Sequence, residues 1–332
     1  MKRVLIDREK NYYKANLHTH STYSDGKLSV DEIKALYKKR GYSVVAFTDH
    51  EHLINNSHLN DENFLAITSC EVAIKEFPEQ STLKNHQMRV AHLNFYALDP
   101  ENTLTPCYNS VYDHFINDLN RNLIRYDGEY DRVYSPEGIN EMVSIARENG
   151  FIVSYNHPTW SLENATDYLN YDGFFAVEIY NHACVNAYGF CDEQVLDDFW
   201  RAGKPIFCTA ADDAHSYREE AGYDACGGWV QIAAPRLTYK DIMHSLRVGD
   251  FYASSGPEIK SLIIEDDIAK IEFSDCVCAN LITSGRRADR KYAAVGETVN
   301  YAEFKLTEAD SWFRITVTDK NGKKAWTQVY DV

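Results

Sequence analysis

Seven apolar runs of strand length lie in the first 210 residues, and each ends in side chains that can bind or orient a metal ion. The first ends in Asn16-Leu17-His18-Thr19-His20, with Ser24-Asp25-Gly26 just beyond. Side chains two apart on a strand point to the same side, so His18 and His20 can reach one ion. The second run, 43–47, ends in Thr48-Asp49-His50, and the third, 64–70, in Glu71. The fourth, 89–98, carries His92, and the fifth, 151–155, runs into Asn156-His157-Pro158. The sixth, 174–177, leads to Glu178 and Asn181. The seventh, 205–210, leads to Asp212, Asp213 and His215, where Asp213-Ala214-His215 repeats the spacing of the opening motif.

Helical periods fall between several of these runs. Residues 30–40 follow Ser29 as N-cap and stop at Gly41; 135–150 open on Ser-Pro-Glu; 191–201 and 239–247 give two more. Strands alternating with helices argue for a mostly parallel sheet, and seven or eight such units close into a barrel whose strand ends face one pocket. The connections 72–88 and 99–134 are long, polar and aromatic, placed as lids or pocket walls. From about Ser255 the pattern changes to short alternating strands, with Asn321-Gly322 as a hairpin turn. The expected division is a barrel over 1–255 and a small antiparallel β-sandwich over 256–332 that caps and rigidifies it.

Composition limits the partners. The 34 Lys and Arg against 50 Asp and Glu leave a formal net charge of -16, which opposes contact with extended nucleic acid or an anionic membrane. The start, MKRVLIDREKNYYK, has no apolar run of signal-peptide type and no later stretch is long enough to span a bilayer, so a cytoplasmic location is expected. The eight cysteines show no CxxC spacing and read as core thiols. Cys276-Val277-Cys278 would face one side of a strand, without a second pair to complete a zinc site.

Of the 12 histidines, His18, His20, His50, His92, His157 and His215 fall at strand ends or in metal-type motifs. His52, His58, His86, His114, His182 and His244 read as solvated, with His52 and His182 the best placed to touch a substrate. The ordered signature of HxH, SDG, TDH, a strand-end Glu, a strand His, His-Pro and DxH resembles that of the PHP (polymerase and histidinol phosphatase) domain of metal-dependent phosphoesterases. The likeness covers about residues 12–255 and implies a distorted seven-stranded β/α barrel. The following β-domain and the junction at 251–257 look like a subgroup that includes carbamate-hydrolysing members.

Carried over residue by residue, the resemblance implies three divalent ions, zinc, manganese or iron. His18, His20, Glu71 and Asp213 would hold the first; Glu71, His92 and His157 the second; Asp25, His50 and His215 the third. Asp213 is preferred to Asp212 because only Asp213 stands two residues from His215, leaving Asp212 to turn away or support the site. Asp49 should face away from His50 and serve it indirectly. Asp49, His52 and Asp212 are thus the candidates for catalytic or supporting roles, and Glu178, Asn181 and Arg218 for substrate binding.

Three divalent ions outweigh the three ligand carboxylates, so the site favours an anionic substrate, a small phosphomonoester or nucleotide attacked by a metal-activated water. A PHP-type carbamate or amide hydrolase and a short-oligonucleotide exonuclease are the alternatives. An amidohydrolase-like barrel needs a Lys on the fourth strand, where 90–95 reads VAHLNF. A metal-holding scaffold without activity would be expected to lack part of the ligand set, and here every position is filled.

Overall fold

The computed structural model describes residues 2–77, 88–218 and 223–332. His86 and most of the connection 72–88 lie outside these. Each of the seven apolar runs forms a strand: Tyr12–Asn16, Val44–Phe47, Leu65–Lys75, Val90–Ala97, Phe151–Tyr155, Ala176–Asn181 and Phe207–Ala211. Val44–Phe47, Phe151–Tyr155 and Ala176–Asn181 are buried at every residue, because both faces of the sheet are covered; hence their continuous apolar runs.

The four expected helices are present as Val30–Lys39, Pro136–Glu148, Glu193–Arg201 and Tyr239–Val248, with the short Ala165–Tyr168 and His182–Tyr188 in addition. In Val30–Lys39, Ser29 and Glu32 make a reciprocal capping box, and Val30, Ile33 and Tyr37 are buried. Among the described residues no helix is long and apolar enough to cross a membrane.

The seven strands are consecutive in one mixed sheet, in the order 207–211, 176–181, 151–155, 90–97, 65–75, 44–47, 12–16. The expectation of a mostly parallel sheet needs correction at one strand. Val90–Ala97 runs antiparallel to both neighbours, pairing Ala73 with His92 and Leu93 with Tyr155. An antiparallel neighbour needs no crossover helix. His92 therefore lies near the start of its strand, yet at the same end of the sheet as the C-terminal ends of the others.

Closure is also not by a regular ladder between the outer strands. Tyr12–Asn16 pairs on its far side with Trp229–Ala233, which continues to Phe251–Ser254. The two ends of the seven-strand run meet beyond their strands: Thr19 bridges Ala214, the His20 N–H donates to the Ala214 carbonyl at 3.0 Å, and the Asp213 N–H donates to the His18 carbonyl at 2.9 Å. The sheet thus curls until two ligand-bearing loops touch.

After Phe251–Ser254 the same sheet extends through Lys324–Trp326, Trp312–Thr318, Cys278–Thr283 and Ala288–Tyr292. A second, four-stranded antiparallel layer, Lys2–Ile6, Ile259–Glu265, Ile268–Cys276 and Val299–Lys305, packs against it over one buried cluster that includes Leu262, Phe273, Phe304, Leu281 and Phe313. The N-terminal strand Lys2–Ile6 therefore belongs to this sandwich, paired with Ile259–Glu265. Side chains help fix it to the rest, among them Arg314 and Gln328. Arg314 makes a bidentate pair with Asp197 at 2.7 and 3.0 Å. Gln328 accepts from the Cys208 N–H at 2.8 Å and donates to its carbonyl at 3.0 Å, acting as a strand substitute on the sheet edge.

Candidate metal centre

His18 and His20 leave the Tyr12–Asn16 strand fully buried, held extended by the contacts with 213–214. His18 Nε2 lies 3.1 Å from Glu71 Oε1 and 3.2 Å from Asp213 Oδ1. His20 Nε2 lies 3.2 Å from the same Asp213 oxygen and 3.5 Å from Glu71 Oε2. The same Glu71 Oε1 is also 3.1 Å from His92 Nδ1 and 3.3 Å from His157 Nε2. Asp25 Oδ1 is 3.7 Å from His50 Nε2 and 3.6 Å from His215 Nε2, with His20 Nδ1 at 3.9 Å. The ligand atoms within each of three groups, His18/His20/Glu71/Asp213, Glu71/His92/His157 and His20/Asp25/His50/His215, lie within 4.8 Å of one another. His18, His157 and Glu178 form a fourth such group.

These residues fit a cation better than they fit one another. His18 Nε2, both ring nitrogens of His20 and Asp213 Oδ1 are buried without a hydrogen-bond partner, a costly state for polar atoms that bound cations would relieve. His20 is also pressed between two imidazoles, His215 at 4.0 Å and His50 at 4.4 Å between centroids. A set of imidazoles and carboxylates suits zinc, manganese or iron.

The side chains divide electrostatically. Burial lowers His20 and His50 to about 3, keeping them neutral and free to ligate. Burial alone would lower His18, His157 and His215 too, but carboxylates led by Asp213 for His18 and His215 and by Glu71 for His157 hold them above the usual value. Burial would likewise raise Glu71 and Asp213, and their histidine neighbours hold both well below the usual carboxylate range.

Around this group sit carboxylates whose oxygens are already taken. Asp49 accepts from the Ser21 N–H and from the Ser21 and Ser24 hydroxyls, all at 2.7 Å, and so folds the loop that carries Asp25. Asp212 accepts from the backbone of Cys226, Gly227 and Gly228 and from the Tyr37 hydroxyl, turned away from the cluster. Neither offers an oxygen for proton transfer at the centre, so the catalytic role considered for Asp49 and Asp212 does not suit the geometry; a supporting one does. His52 and His182 are buried rather than solvated. His52 has no partner on either nitrogen, whereas His182 meets the Tyr180 hydroxyl at 3.1 Å and Asn186 at 3.2 Å.

Glu178 and Asn181 face ligands rather than open space: Glu178 meets His18 Nδ1 at 3.1 Å, and Asn181 donates to Glu178 and to Asp213. Arg218 is exposed and makes no described contact with the cluster.

Several contributors carry no motif. Asp224 accepts from the N–H groups of His215, Ser216 and Tyr217 and shapes the last ligand loop. Phe115 covers His50 at 4.4 Å, and Trp160 lies 5.2 Å from His92 and 4.9 Å from His157. The segment bearing Phe115 is tied to the Asp25 loop by Asn117 and Asn120, which donate to the carbonyls of Thr22 and Tyr23. It returns through buried Arg132, paired with Glu51 at 2.7 Å. Part of 99–134 therefore does form a wall, as expected. The only hint in the sequence was its aromatic content. The open edge is Asp25 and His215, whose side chains are 46% and 34% exposed. A cleft of about 780 Å³ between Leu98, Phe151, Gly173 and Arg247 lies at the other end of the strands, away from this site.

Curled sheet and clustered imidazoles and carboxylates define a candidate metalloprotein, and comparison with known families agrees. Residues 16–116 match the model of the PHP domain family, the family whose signature the sequence resembles. No curated protein shows a significant match to the chain. Among solved structures, a two-domain protein from Bacteroides vulgatus containing a predicted PHP-like metal-dependent phosphoesterase is 12% identical, covering 99% of this chain and 97% of that one at a TM-score of 0.47. An amidohydrolase from Chromobacterium violaceum, with bound sulfate and no metal, is 13% identical over 63% of this chain and 89% of its own at 0.36. At these scores neither likeness carries an argument; the site geometry does.

Proposed function

We propose that this chain is a metal-dependent phosphoesterase that hydrolyses a small phosphomonoester or nucleotide at a site for three divalent cations. The observation that supports this reading is the sharing of ligands: Glu71 belongs to two of the three groups and His20 to two, which makes one continuous centre rather than separate sites. The curled seven-strand sheet is read as the distorted barrel that carries it. Divalent cations held there would supply Lewis-acid charge for the phosphoryl oxygens and a hydroxide nucleophile at neutral pH.

The chain's own side chains do the remaining work. Asp25 and His215, on the open edge, set the direction of approach. Phe115 and Trp160 flank the ligands and keep bulk water from His50, His92 and His157. Asp49 holds the loop that carries Asp25 in shape, and Asp212 and Asp224 the one that carries Asp213 and His215. The acidic surface disfavours extended nucleic acid, so the partner is a small anion whose binding depends on the cations.

The test is hydrolysis of p-nitrophenyl phosphate and an aryl carbamate side by side, with metal content measured by elemental analysis. Phosphate turnover that disappears in His20→Ala supports the reading. Carbamate turnover alone, or less than one bound metal with no manganese-dependent activity, overturns it.

A further inference from the structure

Two of the ligand residues, His157 and Asp213, have φ of 25° and 56°, in the left-handed region that non-glycine residues avoid. Neither lies in a regular strand; each is bent out of its chain direction toward the cluster. Such conformations persist where surrounding contacts over-determine them. The Asp213 N–H is held by the His18 carbonyl, while the His157 N–H and the Asp213 side chain meet one pair of residues, Glu178 and Asn181.

Glu178, buried at the sheet's Ala176–Asn181 strand, uses both oxygens on ligands. Oε1 faces His18 Nδ1 at 3.1 Å, while Oε2 accepts the His157 N–H at 3.2 Å and the Asn181 side-chain amide at 2.9 Å. The same Asn181 nitrogen donates to Asp213 Oδ2 at 3.0 Å, and its Oδ1 accepts from the Cys184 N–H, anchoring it to the start of the next helix. One carboxylate thus reaches His18 of the first group and His157 of the second directly, and Asp213 of the first through Asn181. A proton on His18 Nδ1, donated to Glu178, leaves Nε2 with its lone pair toward Glu71 and Asp213, the tautomer that ligation needs.

We infer that Glu178, with Asn181, is a positioning residue that couples the first two metal groups, so that they fill together. The inference replaces the substrate-binding role expected for both residues and rests on the reading of the centre as a metal site. Glu178 touches no open volume and acts through the ligands it holds. Asn181 touches Glu178 and, of the ligands, Asp213 alone, so the two residues differ in reach. Loss of Glu178 disturbs both groups, and loss of Asn181 mainly the first.

The experiment is titration of the metal-stripped full chain with Co2+, followed by d–d absorption, together with retained metal after gel filtration. Wild type, Glu178→Gln, Glu178→Ala and Asn181→Ala are compared, with circular dichroism as the check on folding. Binding to the first two groups is expected to weaken about 10- to 100-fold in both Glu178 variants, the usual effect of removing such a partner. Asn181→Ala should lose the first group's affinity and keep the second's, giving two separated phases. The Gln variant matters because it keeps the volume while placing an amide N–H2 against at least one donor, and it decides the matter if the Ala variant fails to fold. Unchanged affinity and spectrum in folded Glu178→Gln overturn the inference, as does weakening of one group only. Failure of wild type to bind Co2+ overturns instead the metal-site reading beneath it.

Discussion

Asp212→Asn separates an anchoring acid from a catalytic one. In the structure Asp212 is fully buried, its Oδ1 accepting from Gly227 and Gly228 at 2.8 Å each, its Oδ2 from Cys226 and the Tyr37 hydroxyl at 2.7 Å each. Burial raises it to about 6 despite these donors. In the Asn variant the carbonyl oxygen can keep the two glycine bonds, and the Tyr37 hydroxyl can turn to accept. The Cys226 N–H then faces an amide N–H2 and is left unpaired, which costs about 1–3 kcal/mol. Asp212→Ala takes the acceptor from three N–H groups at once, that of buried Gly228 and those of part-buried Cys226 and Gly227, and even with partial relaxation should cost roughly 3–5 kcal/mol.

Urea unfolding of the metal-loaded protein measures both, and metal content follows, because Asp213 shares the turn. If Asp212 anchors, Asn lowers stability and metal retention, while the pH dependence of kcat in protein kept fully loaded is unchanged. A wild-type unfolding midpoint with full metal content and an abolished kcat would refute the argument and restore Asp212 as a proton carrier.

Three further outcomes are expected. His18, His157 and His215 are held above the usual histidine value, so the stability they give the metal-free protein is full below the unfolded pKa and lost as pH rises through the folded one. Cations must displace those protons, so the rise in Tm on adding manganese should shrink from about pH 8 to about pH 6, and growth of that rise would contradict the assignment. Arg314→Met should destabilise by about 3–5 kcal/mol in urea because buried Asp197 keeps only the longer contact with Arg201 at 3.7 Å, whereas Arg314→Met with Asp197→Leu should recover most of the loss. Gln328→Leu leaves the Cys208 N–H and carbonyl without partners and should cost about 1–3 kcal/mol; no change in the unfolding midpoint would show that this edge needs no cover.

What was legible in the sequence was chemistry at the ends of apolar runs. Buried strands exclude His, Asp and Glu, so their recurrence at seven strand ends had few ordinary explanations, and the structure brings those side chains together. Strand direction was not legible. Val90–Ala97 has the same apolar pattern whichever way it runs, and its direction is seen only in its pairing with Leu65–Lys75. The pairing of Lys2–Ile6 with Ile259–Glu265 was equally silent, because neither strand carries a sign of so distant a partner. Asp213 faces the cluster as the spacing suggested, but by another route. The chain there is a turn with positive φ, and His215 Nδ1 sits 2.9 Å from the Asp213 carbonyl, so strand alternation is not the cause.

The buried acids of this site sort by their donors, which no spacing rule could supply. Asp49, Asp212, Asp224 and Glu178 each meet two to four hydrogen-bond donors, mostly backbone N–H groups and hydroxyls, and their negative charge is spent on holding loops. Glu71 and Asp213 face mainly imidazole nitrogens, and Asp213 Oδ1 has no hydrogen-bond partner at all. A carboxylate saturated by donors loses its hydrogen bonds if it turns toward a cation; one left facing lone pairs gains by binding it. Sequence separates Asp213 from its neighbour Asp212 only by its spacing from His215. The donors around each make one the support of the turn and leave the other open to the metal.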